Sequence, residues 1–170
     1  MRLGLPRTVF EGCFKFGFVR NPWDWIVSLR SYLLQTPSHR HHALVKRMSF
    51  EDYIRFETER NRRSQHDFLV DRQGQLLADF VGRFENLHND FDVVCRRLGI
   101  DAKLPHSNSS SHRDYRESYD ARSIELVRKH LQRDIDLFEY EFDPRAPGAH
   151  TKHASSPLAT LESAGAAQQA

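Results

Sequence analysis

At 170 residues the chain is long enough for one domain with a real core, and not comfortably long enough for two. Hydrophobic residues make up 39% and Phe alone numbers twelve, as in a globular body, while 25 basic against 23 acidic residues leave no bulk field calling for nucleic acid or an anionic membrane. No apolar run approaches a membrane span, the first residues lack the charged-then-apolar profile of a signal peptide, and Cys13 and Cys95 stand in no CxxC spacing. Two reduced, buried thiols follow from that spacing, and they point to the cytoplasm.

Residues 1–12 are short on pattern, with Gly4, Pro6 and Gly12 breaking any element. CFKFGFVR, residues 13–20, reads as a strand, apolar nearly throughout as a strand buried on both faces would be. Pro22 stops it and suits the first position of a helix running from about 22 to 35, with Asn21 as N-cap and Asp24 in the capping-box place. Residues 37–47 form a polar loop, after which Ser49 caps a helix with Phe50, Tyr53, Ile54 and Glu57 on one face. A loop and the turn DRQGQ lead to a short strand at 76–81. Glu85 or Asn86 opens a third helix carrying Phe91, Val94, Cys95 and Leu98 at helical spacing, and Gly99 closes it. A polar segment spans 101–118, and one last helix, ARSIELVRKHLQRDIDLF, carries Ile124, Val127, Leu131, Ile135 and Phe138 in a stripe. The domain thus covers 1–142, and the Ala-, Ser-, Pro-, Gly- and Gln-rich residues 143–170 read as a disordered tail. Strands alternating with helices indicate an α/β domain with a mainly parallel sheet, although only two strands are clear.

The stretch FGFVRNPWDWIVSL, residues 16–29, carries the chemistry. Arg20 falls at the carboxyl end of a strand, the edge where ligands bind α/β sheets, and its guanidinium suits a phosphate through two parallel hydrogen bonds. The helix N-terminus at Asn21-Pro22-Trp23 offers free backbone N–H groups, and Ser28, two turns in, can face the same crevice. Spacing alone leaves two readings open. In one the group cradles a phosphate; in the other Arg20 pairs with Asp24 and Ser28 is ordinary helix filler.

RNPWDWIVS resembles the 3′-phosphate-binding motif R-N-P-x-D-x-x-x-S of sulfotransferases that use 3′-phosphoadenosine 5′-phosphosulfate. FKFGFV resembles the strand before it in the carbohydrate-type, family 2-like branch, and VGRFENLHNDFDVVCRRLGI resembles that branch's GRFE segment and helix. LPHSNSSSHRDYRESYD and DIDLFEYEF, similar to a closing D-x-x-x-F-x-Y-x-F, extend the likeness over residues 10–142. The resemblance implies a P-loop-NTPase-like sulfotransferase fold with a mainly parallel sheet. It also implies sulfuryl transfer from 3′-phosphoadenosine 5′-phosphosulfate, without a metal, to a hydroxyl, carbohydrates being that branch's acceptors. By the same resemblance Arg20 and Ser28 bind the 3′-phosphate, and Arg113, in the polar loop before the last helix, is a further candidate contact. Asn21 and Asp24 cap rather than contact the nucleotide, and Glu85 closes a helix N-terminus.

The family's N-terminal P-K-T-G-G-T-S-like loop, which cradles the 5′-phosphosulfate, has no counterpart here. LPRT at 5–8 lacks the following glycine, and eleven residues between Thr8 and Arg20 are too few for a helix and crossover. The fold is therefore expected to be N-terminally incomplete, the catalytic base is unassigned, and the polypeptide alone is expected to have negligible sulfotransferase activity. One lost oxyanion donor already costs on the order of 3 kcal/mol.

His39, His41 and His42 lack a helical i, i+4 pair and read as a solvated loop rather than a metal site, and His66, His106 and His112 are scattered. Asn108-Ser109-Ser110 is a glycosylation sequon, idle unless the chain is exported, and Trp25 reads as core packing. RFETERNRR, residues 55–63, interleaves two acids, so a nucleic-acid or protein-binding module is the weaker alternative beside a non-catalytic nucleotide-binding remnant. An unfinished sheet leaves an edge that invites pairing with a second copy.

Overall fold

The computed structural model describes residues 6–60, 64–105 and 114–143. Arg113, His106, His112, the 108–110 sequon, residues 61–63 and the tail from 144 onward lie outside the described residues. The described residues divide into two compact units, one built from 6–18 and 69–104, the other from 19–60, 64–68, 105 and 114–143.

In the first unit the segment expected to lack structure forms helix α1, Arg7–Gly12, with Pro6 just before it and Arg7 paired to Glu11 at 2.6 Å. Proline is compatible with a helix start because its missing N–H would have no partner there. Strand β1, Phe16–Val19, pairs with β2, Phe80–Arg83, in a small parallel two-stranded sheet. Both strands are shorter than the sequence suggests, and β1 is not buried on both faces, since Phe16 is 41% exposed. The early part of the second expected strand instead closes a hairpin-like turn, with Leu76 bridging Val70 antiparallel. Glycine is required in β2: a Cβ on Gly82 would lie 2.4 Å from the ring of Phe18.

Helix α5, Leu87–Leu98, follows a 3-10 turn at Phe84–Asn86 and ends at Gly99, whose φ of 66° is the left-handed C-cap read from the sequence. Val94 and Cys95 are its buried residues, while Leu98 is exposed. Its N-cap, Asn86, makes no side-chain cap bond. The first turn is tied down by Asp90 instead, which accepts from the Arg83 N–H at 2.6 Å and from Asn86 Nδ2 at 2.7 Å. Cys95 is buried as expected, but Cys13 is exposed.

The second unit is helical. Helix α2, Pro22–Gln35, has the expected bounds and buries Trp23, Ile26, Val27 and Leu33. A short helix α3, His42–Val45, interrupts the expected loop because Val45 is fully buried and anchors it. Helix α4, Phe50–Arg60, buries Tyr53, Ile54 and Glu57. Glu57 is tolerated at a core position because Arg60 donates to both of its carboxylate oxygens, at 2.6 and 2.7 Å. Its own burial, then the Glu57 carboxylate, push the Tyr53 phenol pKa far up.

The single last helix of the sequence reading is two, α6, Ala121–His130, and α7, Gln132–Leu137, broken at Leu131. The break keeps the stripe inside: Val127, Leu131, Ile135 and Phe138 are all buried. Glu139, at φ 52°, then turns the chain so that Tyr140 is buried as well. No helix among the described residues is long and apolar enough to cross a membrane.

Candidate functional site

Arg20 leaves β1 one residue before the cap of α2, so a side chain four or eight positions on lies one or two helical turns away on the same face. The geometry follows that spacing. Arg20 Nε donates to Asp24 Oδ2 at 2.6 Å, and Arg20 Nη1 donates to Ser28 Oγ at 2.8 Å. The two side chains of the ion pair are only 14% and 13% exposed, so solvent screens it less than a surface pair. Asp24 is therefore an ion-pair partner and not the second half of a capping box. Ser28 is more than filler: with its oxygen accepting from Arg20, the hydroxyl hydrogen is left to donate elsewhere.

The free amides expected at the start of α2 are engaged. Asn21 Oδ1 accepts from the N–H groups of Trp23 at 3.0 Å and Asp24 at 3.4 Å, Trp25 N–H donates to the Asn21 carbonyl at 2.8 Å, and Pro22 has none to give. A cap strong enough to start this helix uses the donors that an anion would need. An anion at this turn would have to be met by side chains.

Asn21 does more than cap. It is 6% exposed, and its Nδ2 donates to the Glu141 carbonyl at 2.9 Å. Tyr115, pushed up to about 12 chiefly by burial, donates its hydroxyl to the Phe142 carbonyl. Trp23, fully buried, meets Phe142 edge-on at 5.7 Å and donates its indole N–H to the Ile124 carbonyl at 3.1 Å. Tyr119 O–H donates to the Trp23 carbonyl at 2.8 Å. The closing segment of the chain is in this way fastened to the first turn of α2, which ties two of the sequence motifs together.

Behind Arg20 stands a residue that the sequence reading passed over. Gln65 Oε1 accepts from the Arg20 N–H at 2.8 Å, while Gln65 Nε2 donates to the Arg20 carbonyl at 2.8 Å. A side-chain amide offers the same donor and acceptor as a backbone peptide, so Gln65 takes the place of a neighbouring strand. Gln65 is held in turn by Asp134. That fully buried carboxylate accepts from the N–H groups of Gln65 and His66, at 2.9 and 2.8 Å, and contacts His66 Nδ1 at 2.9 Å. Nothing in the sequence spacing marks Gln65, 45 residues from Arg20, but Asp134 is the first position of the D-x-x-x-F-x-Y-x-F segment.

His66 is buried, with Ser64 also on Nδ1 and Asp67 Oδ1 3.2 Å from Nε2. Ser64, His66, Asp67 and the chain from Lys129 to Arg133 line a cavity of about 510 Å³, of which neither Arg20 nor Ser28 forms a wall. The rings of His39 and His41 lie 5.4 Å apart, tilted by 46°, and Arg40 Nε donates to His41 Nε2 at 2.9 Å. Among the described residues no group of three or more His, Cys, Asp or Glu side chains is arranged to hold a metal ion.

Comparison with known proteins gives the chain its relatives. The family model described as "Sulfotransferase family" matches residues 4–141. An uncharacterized protein of Archaeoglobus fulgidus is 26% identical over 121 residues, covering 69% of this chain and 94% of that relative. No solved structure matches.

Proposed function

Because the chain belongs to the sulfotransferase family, we propose that it serves sulfuryl transfer from 3′-phosphoadenosine 5′-phosphosulfate to a carbohydrate hydroxyl, with Arg20 and Ser28 holding the donor's 3′-phosphate. Family membership by itself suggests a P-loop-like fold and transfer dependent on that donor. The observation that carries the finer reading is the contact between Arg20 Nη1 and Ser28 Oγ at 2.8 Å, within a segment that matches R-N-P-x-D-x-x-x-S. These residues suit a phosphate: a planar guanidinium cation, and a hydroxyl whose hydrogen is left to donate to an anionic oxygen. Arg113 belongs to the same reading as a further contact, on resemblance alone. The donor supplies the sulfuryl group; this chain's residues fix the far end of the nucleotide and so orient it for in-line transfer.

A second reading, nucleotide binding without turnover, is favoured by one observation. The Pro-Arg-Thr of residues 6–8 is taken up by the start of α1, with Arg7 engaged by Glu11, and does not form a phosphate-cradling loop. Calorimetric titration of adenosine 3′,5′-bisphosphate into the purified chain and into Arg20→Ala tests the binding reading. Saturable binding lost in the variant is expected, and no binding by the folded wild-type chain refutes it. Turnover of labelled donor with a panel of sugar acceptors separates the two readings: sulfated product establishes the transferase, and binding without product establishes the second.

A further inference from the structure

We infer that Gln65 is a positioning residue for Arg20, setting the backbone from which the guanidinium reaches the nucleotide; the inference rests on the proposed reading of Arg20 as a 3′-phosphate ligand. Strand β1 ends at Val19, one residue before Arg20. The Arg20 N–H and carbonyl are both taken by one side chain, Gln65, at 2.8 Å each. The two bonds hold the peptides on either side of the Arg20 Cα, so they fix the backbone that aims the Arg20 side chain, and rotation of either peptide would swing it. The clamp is itself fixed at its base. The Gln65 N–H donates to Asp134 Oδ2 at 2.9 Å, and the adjoining His66 donates its own N–H to Oδ1 of the same carboxylate at 2.8 Å. Ser64, on the other side, donates its N–H to Asp67 Oδ2 at 2.9 Å. Charge-assisted bonds of this kind are about twice as strong as neutral ones, so the turn carrying Gln65 is stiff. Stiffness is transmitted from a buried carboxylate on α7, through the Gln65 side chain, to the residue that begins the phosphate turn.

Gln65 is only half-buried, which makes it replaceable without a large cavity. Its action through Arg20 has a signature that general loosening lacks. It concerns the 3′-phosphate alone, and it vanishes once Arg20 is gone. Ligand-observed NMR titrations, which reach weak affinities, would compare adenosine 3′,5′-bisphosphate with adenosine 5′-monophosphate. The proteins are wild type, Arg20→Ala, Gln65→Ala, the shape-conserving Gln65→Met, and Gln65→Met combined with Arg20→Ala. Thermal unfolding of each establishes that it is folded, and Gln65→Met carries the test if Gln65→Ala is not. The expected result is a preference for the bisphosphate that falls about tenfold in the Gln65 variants, the scale of one or two lost hydrogen bonds, with monophosphate binding unchanged and no further loss in the double variant. A wild type without preference for the bisphosphate removes the Arg20 reading and this inference with it. A preference erased by Arg20→Ala but intact in both Gln65 variants overturns the inference and leaves the reading standing. Equal weakening of both nucleotides also overturns it, since Gln65 would then be merely structural.

Discussion

Asn21 is where capping and tertiary fastening meet in one side chain, so its replacement can be worked through from the geometry. Asn21→Ala removes the acceptor for two first-turn amides, at 3.0 and 3.4 Å, and the donor to the Glu141 carbonyl at 2.9 Å. Loss of an N-cap costs about 1 kcal/mol, and loss of the bond to Glu141, a residue near solvent, about another 1 kcal/mol. Asn21→Ala is therefore expected to cost about 2 kcal/mol, and Asn21→Ser, which keeps a capping oxygen but not the second bond, about 1 kcal/mol. Urea unfolding followed by the far-ultraviolet signal reads both, as shifts of the midpoint at constant slope. In a thermal melt the alanine variant should fall by roughly 4–8 °C for a chain of this size. If Ser costs as much as Ala, the cap contributes nothing and the tertiary bond is the whole effect. If both lie within about 0.5 kcal/mol of wild type, as ordinary surface substitutions do, the reasoning fails altogether.

Gly82→Ala would put a Cβ 2.4 and 2.7 Å from two ring carbons of Phe18 and 3.1 Å from Asp90 Cβ, so a loss of about 1–3 kcal/mol is expected in the same unfolding assay. Asp120 caps α6 in a reciprocal box with Ser123, whose side-chain and then backbone hydrogen bonds hold its pKa below the ordinary 3.8. A depressed carboxylate stabilises the fold above its unfolded value and loses that contribution as pH falls through the folded value, so Asp120→Asn should flatten the acid limb of stability below about pH 4 and not the neutral region. Asp24→Asn keeps an acceptor for Arg20 Nε while removing a negative charge, and should bind adenosine 3′,5′-bisphosphate at least as tightly as wild type, whereas Asp24→Ala should bind it several-fold more weakly. Equal affinity of the two in a calorimetric titration would mean that orientation is not what the carboxylate provides.

Local signals carried far in this chain. Pro22 and Asn21 set the start of α2, Gly99 the end of α5, and the i, i+4 stripe of α6 and α7 named its buried members, because caps and periodicity act over a few residues. Failures occur where a distant contact decides. The break at Leu131 lies inside an unbroken helical pattern. Val45 makes a helix out of a polar loop by being buried, and Phe16 leaves half of an apolar strand in the open. At the site the sequence placed Arg20 and Ser28 at one crevice and weighed an Arg20–Asp24 pair, with Ser28 as filler, as the alternative. The ion pair is present, and Ser28 Oγ accepts from the same guanidinium. Gln65 and Asp134 escaped because a glutamine that imitates a strand has no pattern of its own; only the fold brings residue 65 beside residue 20.

An acid beside the arginine of the proposed phosphate site looks self-defeating, since Asp24 neutralises the charge that should attract the ligand. The arrangement of the turn gives the reason for its presence. Asn21 and Pro22 remove the helix amides as anion donors, so the proposed binding depends on one long, rotatable side chain. An arginine free in solvent loses roughly 0.5–1.5 kcal/mol on being ordered at a binding site. Here most of that order exists beforehand. Asp24 fixes the Nε edge, Ser28 fixes Nη1, and Gln65 fixes the backbone on either side of the Cα. Asp24 takes up the Nε edge and leaves the guanidinium plane a defined orientation, with the Ser28 hydroxyl beside it. The electrostatic cost of the acid is spread over distance and lessened by solvent, while the orientation it imposes acts at the contact itself. On this account Asp24 trades some long-range attraction for a guanidinium already turned toward its ligand.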